Sequence, residues 1–184
     1  MCLFHTEQAP LALSDEDAYQ AYRDQLVAAG YLVPLSVRGL YARAGAFERI
    51  VEAFDAYVTR QSAHLKAEVL RFPPIFARAN YERIDHIRNF PDLMGSVHVF
   101  KGGDREHQRM LESFERRGNW SAALAPGEAM LIPAACYSLY PTATGTLPEG
   151  GRQIDLESFV FRHEPSDDPA RMQVFRQREF VRLG

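Results

Sequence analysis

Five side chains near the end of the chain, Arg162, Glu164, Arg171, Phe175 and Glu179, combine the types that hold a nucleotide. The stretch reads as two β-strands joined by a short loop, and alternation sends every second side chain of a strand to the same face. Arg162 and Glu164 then share one face of the first strand. Arg171, Phe175 and Glu179, four apart each time, share one face of the second. Charges of both signs around an aromatic ring are costly to build into a core, and such a surface suits a ligand carrying phosphate and a flat ring. Arg162 has the planar fork for bidentate contact with phosphate. Glu164 accepts from an amine or a solvated metal, and Phe175 stacks on a base. A solvated sheet face laced with salt bridges has the same spacing, so spacing alone leaves both readings open.

Cys136 is the second candidate. It follows the apolar run Ala129–Ile132 and sits among Pro133, Ala134, Ala135 and Tyr137, small neighbours that leave room for a small substrate. It reads as a nucleophile, a metal ligand or a small buried apolar residue. The six histidines contain no i, i+4 pair of a helical metal site, and no Cys-x-x-Cys occurs. No nucleophile-elbow motif supports a hydrolase.

These residues need a scaffold, and the chain reads as α+β with an antiparallel sheet flanked by helices. Residues 1–13 lack periodicity and read as a loosely held lead-in. Ser14 caps a helix over about 15–29 that Gly30 stops, with Tyr19 and Tyr22 among its packing residues. Residues 34–46 read as loop with a short ordered piece. A second helix spans about 46–65, striped by Phe47, Ile50, Val51, Phe54 and Val58, followed by a strand over 67–72 that Pro73-Pro74 ends. A helical piece over about 78–84, a strand over 96–100 and a helix from Asp104 through Arg117 come next. Then follow a buried strand over 129–132, a loop over 142–151 and the first hairpin strand over 153–162.

Composition bounds the rest. At 184 residues the chain suits one domain. A net charge of -3 argues against nucleic acid as partner, and no apolar run approaches a membrane span. Two cysteines make no disulfide framework, and no signal peptide is evident, so a cytoplasmic setting is expected.

The residues together resemble a known family. Phe161-Arg162-His163-Glu164 followed by Arg171-x-x-x-Phe175 resembles motif 2 of the class II aminoacyl-tRNA synthetases, and the helix from Ala46 with the strand near Leu70 and Pro73-Pro74 resembles motif 1, the dimer interface of that class. The likeness is closer to one branch, the amino acid–[carrier protein] ligases, which are similar to the catalytic domain of atypical zinc-dependent seryl-tRNA synthetases. Pro133-Ala134-Ala135-Cys136-Tyr137, Met94-Gly95-Ser96-Val97-His98, Asp168-Pro169-Ala170-Arg171-Met172 and Arg178-Glu179-Phe180-Val181-Arg182 carry it. The resemblance implies a homodimer that uses ATP and Mg2+ to activate a small amino acid as its adenylate, then passes it to the phosphopantetheine thiol of a carrier protein. It assigns Arg162 to the α-phosphate and the substrate carboxylate, Glu164 to the adenine amine, Arg171 to the outer phosphates and Phe175 to the underside of adenine. It further implies Zn2+ held by Cys136, Glu179 and a further cysteine, which has no evident counterpart here. Nor does the arginine of motif 3. The expectation is therefore part of an enzyme, inactive alone, or alternatively a truncated paralogue that binds a carrier protein or a complete subunit.

Overall fold

The computed structural model describes residues 14–184, so the expected lead-in at 1–13 lies outside the described residues. The chain divides into two compact units, one of residues up to Asp55 with Pro165–Met172, the other of Ala56–Glu164 with Gln173–Gly184.

In the first unit, helix α1 (Asp15–Ala28) is capped as its sequence requires: Ser14 Oγ accepts from the Asp17 amide at 3.2 Å, and Asp15, Glu16 and Asp17 fill the first turn. Tyr19 and Tyr22, expected to pack, are exposed. The expected loop over 34–46 holds an antiparallel hairpin of β1 (Leu32–Pro34) and β2 (Tyr41–Arg43). Its turn closes by Leu40 N–H donating to Val37 O, with Gly39 at φ 77° where a side chain would be strained. Leu32 is buried, 1% exposed. Helix α2 (Ala46–Ser62) begins in this unit and ends in the next, passing into a 3-10 turn at Ala63–Leu65.

The second unit is built on two three-stranded sheets. In one, β7 (Arg152–Phe161) lies between β3 (Glu68–Arg71) and β8 (Val174–Leu183). The β7–β8 pairing is antiparallel over ten residue pairs, but β3 runs parallel to β7, so this sheet is mixed. The long connection between β3 and β7 permits this, since a parallel pair needs a crossover. On one face of β7, Ile154, Leu156 and Val160 are at most 1% exposed and form the core with Tyr81 and Ile132. On the other face, the Asp155 carboxylate, 5% exposed, takes Arg178 Nε at 2.9 Å and its second amino nitrogen at 2.5 Å. Arg178 also donates to Thr59 Oγ1 of α2 at 2.9 Å, which ties the helix to that face.

In the other sheet, β6 (Leu124–Leu131) lies between β4 (Ile75–Ala77) and β5 (Ser96–Phe100). The expected strand over 129–132 is the part of β6 that pairs with β4, and only this end of β6 is a continuous apolar run. At Pro126 the strand pairs only with β5, so the missing proline N–H costs no ladder bond. The carbonyls left over there accept from cations, Gly127 O from Arg78 Nε at 2.9 Å and Pro126 O from Lys101 Nζ at 2.9 Å. Helix α3 (Arg78–Tyr81) and helix α4 (His86–Asn89) are short; α5 (Asp104–Glu115) starts with Asp104 inside the first turn, after Gly103, whose N–H donates to Glu106.

Leu156 is 0% exposed and central, so Leu156→Ala should lower unfolding free energy by about 2–5 kcal/mol in urea titrations. A loss under about 1 kcal/mol would show that β7 is not the core strand.

Candidate functional site

The β7–β8 register builds the site. Val160 pairs with Phe175, Ser158 with Gln177 and Leu156 with Glu179, so Phe175, Gln177 and Glu179 all lie on the core-side face. Over that face sits the 3-10 turn Ala135–Ser138, docked by its own backbone: the Ala135 amide donates to Gln177 Oε1 at 3.0 Å and the Cys136 amide to Glu179 Oε1 at 3.3 Å. Gln177, which docks the turn that carries Cys136, is the site residue that the sequence reading missed. Its signal was period two, since it falls between Phe175 and Glu179 on the same strand.

Arg162 and Glu164 do not lie on β7, which ends at Phe161, contrary to the strand expected over 153–162. The cause is a change of partner: Phe161 N–H bonds Ile132 O at 2.7 Å and Arg162 N–H bonds Gln173 O at 2.9 Å, but His163 N–H turns to Leu93 O at 3.1 Å. Arg162 keeps the alternation past the strand end, and its guanidinium carbon lies 5.4 Å from the centre of the Phe175 ring, over its face. Its Nε donates to Pro133 O at 3.0 Å, which fixes the fork, and among the described residues no hydrogen-bond acceptor meets its terminal amino groups. Glu164 is half-buried, with its N–H on Arg162 O at 2.7 Å.

Arg171 does not lie on β8 either, which begins at Val174. It sits in the other unit, in a turn where its N–H donates to Asp168 O at 3.0 Å. Of the five residues grouped by spacing, the strand face therefore holds Phe175 and Glu179, with Arg162 beyond its end.

Around Cys136 the surroundings favour the protonated thiol. Burial first, then the hydrogen bond and charge of Glu179, push its pKa from the usual 9.0 to about 11, against a smaller opposing hydrogen bond with Tyr140. A thiol beside a carboxylate is a chemically suitable pair of donors for zinc. Among the described residues, however, no group of three or more His, Cys, Asp or Glu side chains could hold a metal ion, so any third ligand lies outside them. Next to Arg162, His86 is 6% exposed and packs edge-on against Tyr81 and Tyr137 at ring distances of 5.5 and 6.0 Å. Burial and then the charge of Arg162 hold its pKa below the usual value, which keeps it neutral.

No protein-family model matches the sequence. Individual proteins do: the chain is 41% identical over 150 residues to amino acid–[acyl-carrier-protein] ligase 1 of Bradyrhizobium diazoefficiens, covering 79% of this chain and 45% of that protein. Ligase 2 of the same organism is 39% identical over 148 residues, covering 79% of this chain and 44% of its own. This chain is a relative of the amino acid–[acyl-carrier-protein] ligases. It spans less than half the length of the ligases it matches. Among solved structures, M. kandleri seryl-tRNA synthetase, crystallised with A. aeolicus tRNASec, aligns at a TM-score of 0.74 and 19% identity over 87% of this chain and 33% of its own. Giardia lamblia prolyl-tRNA synthetase in complex with prolyl-adenylate aligns at 0.64 and 16% identity, over 90% of this chain and 30% of its own. The fold is that of class II aminoacyl-tRNA synthetases. No helix among the described residues is long and apolar enough to cross a membrane.

With chelator present, the rate of Cys136 alkylation by iodoacetamide should rise with pH to a midpoint near 11 rather than the usual 9.0. Glu179→Gln should move that midpoint down and speed alkylation at pH 8, because the carboxylate disfavours the thiolate. A wild-type midpoint near 9.0 would contradict the geometry.

Proposed function

We propose that this chain contributes to the ATP-dependent activation of a small amino acid and its transfer to a carrier protein. The observation that carries the reading is the Arg162 fork, held by Pro133 O beside the Phe175 ring, with its terminal amino groups meeting no acceptor among the described residues. A flat ring next to a fixed cation matches a base next to a phosphate. The relatedness to the ligases supports it at the level of the chain.

In this reading Phe175 carries the adenine and Glu164 accepts from its exocyclic amine. Arg162 draws the substrate carboxylate and the α-phosphate of a magnesium-bound ATP together. A carboxylate oxygen attacks the α-phosphorus, the bond to the β-phosphate oxygen breaks, and pyrophosphate leaves. Arg162 stabilises the charge that builds at phosphorus, and a donor already fixed by Pro133 needs little reorganisation to do so. A phosphopantetheine thiolate of the carrier protein then attacks the acyl carbon and AMP leaves. Neutral His86 adds no second positive charge beside Arg162, so the local field belongs to the guanidinium. Zinc, where Cys136 and Glu179 help to hold it, would supply a Lewis acid for the substrate amino group.

The motif 1 likeness adds a homodimer. On α2, Ile50, Phe54 and Tyr57 recur at helical spacing with exposures of 65%, 64% and 50%, an apolar stripe that a second copy would cover. Ile50→Asp should convert a dimer to monomer in analytical ultracentrifugation without lowering the melting temperature of the monomer. An unchanged sedimentation coefficient would count against this interface.

Amino-acid-dependent exchange of pyrophosphate into ATP by the full-length protein tests the chemistry. Arg162→Ala should lower the exchange rate by about 10²–10³-fold. Phe175→Ala should raise the KM for ATP by an amount equal to about 1–3 kcal/mol of stacking. Absence of exchange, with carrier-protein binding intact in Arg162→Ala, would overturn the ligase reading in favour of a binding module.

A further inference from the structure

Residues 94–98, one of the runs that carry the family likeness, take no part in the proposed chemistry, yet their glycine touches the strand that leads to Arg162. Gly95 lies just before β5, and its carbonyl accepts from the Leu131 amide at 2.9 Å, which carries the β5–β6 ladder one step further. Its φ lies outside the left-handed region, so backbone conformation does not call for glycine here. Space does. A Cβ at Gly95 would stand 2.6 and 2.7 Å from the Phe161 ring carbons Cε1 and Cδ1, and 2.8 Å from Cδ1 of Leu131. Carbon atoms in contact stand about 3.5–4.0 Å apart, so a methyl group here would displace the ring. Phe161 is seated on bare backbone, a close approach that glycine permits.

Phe161 is the last residue of β7 and the neighbour of Arg162. Three bonds hold the corner where the chain leaves the strand. The Phe161 amide donates to Ile132 O at 2.7 Å, the Arg162 amide to Gln173 O at 2.9 Å, and Arg162 Nε to Pro133 O at 3.0 Å. One residue later the His163 amide reaches Leu93 O at 3.1 Å. The backbone of residues 93–95 therefore flanks the corner twice, at the Phe161 ring and at His163. Leu131, the other side chain against Gly95, directly precedes Ile132 and Pro133, which accept two of those bonds. A methyl at Gly95 would press on Phe161 from one side and on Leu131 from the other. The Arg162 guanidinium carbon stands 5.4 Å from the centre of the Phe175 ring. A misplacement of about 1 Å in such a site costs up to roughly a hundredfold in rate.

We propose that Gly95 is a positioning residue: its bare Cα seats the Phe161 ring and so sets the direction in which Arg162 leaves β7 over the face of Phe175. The proposal rests on the nucleotide reading above. All of these residues belong to one compact unit. Gly95 itself touches no reacting group and acts through Phe161.

The test uses the full-length protein with Gly95→Ala, Phe161→Val and the two combined. Valine keeps strand propensity and ends before the ring carbons that the new methyl would meet. In pyrophosphate exchange Gly95→Ala should lower kcat by about 10–100-fold with under about a threefold change in the KM for ATP, because Phe175 still carries the base. Adding Phe161→Val should bring kcat back to within about threefold of Phe161→Val alone, and the losses in melting temperature should be less than additive, as for residues in contact. An unchanged kcat in Gly95→Ala would overturn the positioning role. A loss of kcat that Phe161→Val does not recover would show that the ring contact is not its cause. If Gly95→Ala fails to fold, the double variant must fold and match Phe161→Val in exchange, or the proposal falls. A wild-type protein without exchange would overturn the nucleotide reading and this role with it, whereas the melting temperatures would still report the seat: additive losses would overturn it.

Discussion

The site depends on the register between β7 and β8. Side chains on a strand alternate with a period of two, so a slip of one residue would exchange the two faces of β8. Phe175, Gln177 and Glu179 would turn away from the core side, and Arg176, Arg178 and Phe180 would turn into it. Two sets of contacts oppose that slip from opposite faces. On one, the Asp155 carboxylate holds Arg178 through both of its oxygens. On the other, the amides of Ala135 and Cys136 reach Gln177 and Glu179. A buried charge left without its partner is expensive, so the wrong register is penalised where the right one is satisfied.

The same geometry explains why one polar face is tolerated above a core. Leu156 and Glu179 are cross-strand partners, yet Leu156 is 0% exposed while Glu179 is half-buried under the turn that carries Cys136. The polar ends of Gln177 and Glu179 are spent on backbone N–H groups, which satisfies donors at the start of that turn. Arg162 is spent in part on Pro133 O. What remains at its terminal nitrogens is donor capacity directed by a fixed frame, which is the property that the proposed chemistry needs.

Much of this was legible in the sequence, and the exceptions have causes. Alternation found β5 and the face shared by Phe175 and Glu179, and the stripe in α2 fixed that helix at Ala46. Alternation could not show where pairing stops: β7 ends at Phe161 because His163 takes Leu93 as its partner, and Arg171 is held by Asp168 in a separate turn. Those facts depend on residues far away in the chain or on side chains that mimic backbone. β6 was half-read because only its end over 129–132 is a continuous apolar run, and its Pro126 is harmless because β4 does not reach that far along the strand. The seat at Gly95 had no signal in spacing, since a close approach between residues far apart in the chain is invisible to it.

In the proposed function, the Arg162–Phe175 pair forms a nucleotide platform. A crystal structure of the protein soaked with a non-hydrolysable ATP analogue tests it most directly. The adenine ring should lie against Phe175 with the α-phosphate within hydrogen-bonding distance of the terminal nitrogens of Arg162. An occupied analogue bound elsewhere, with Arg162 still beside an empty Phe175 ring, would contradict it.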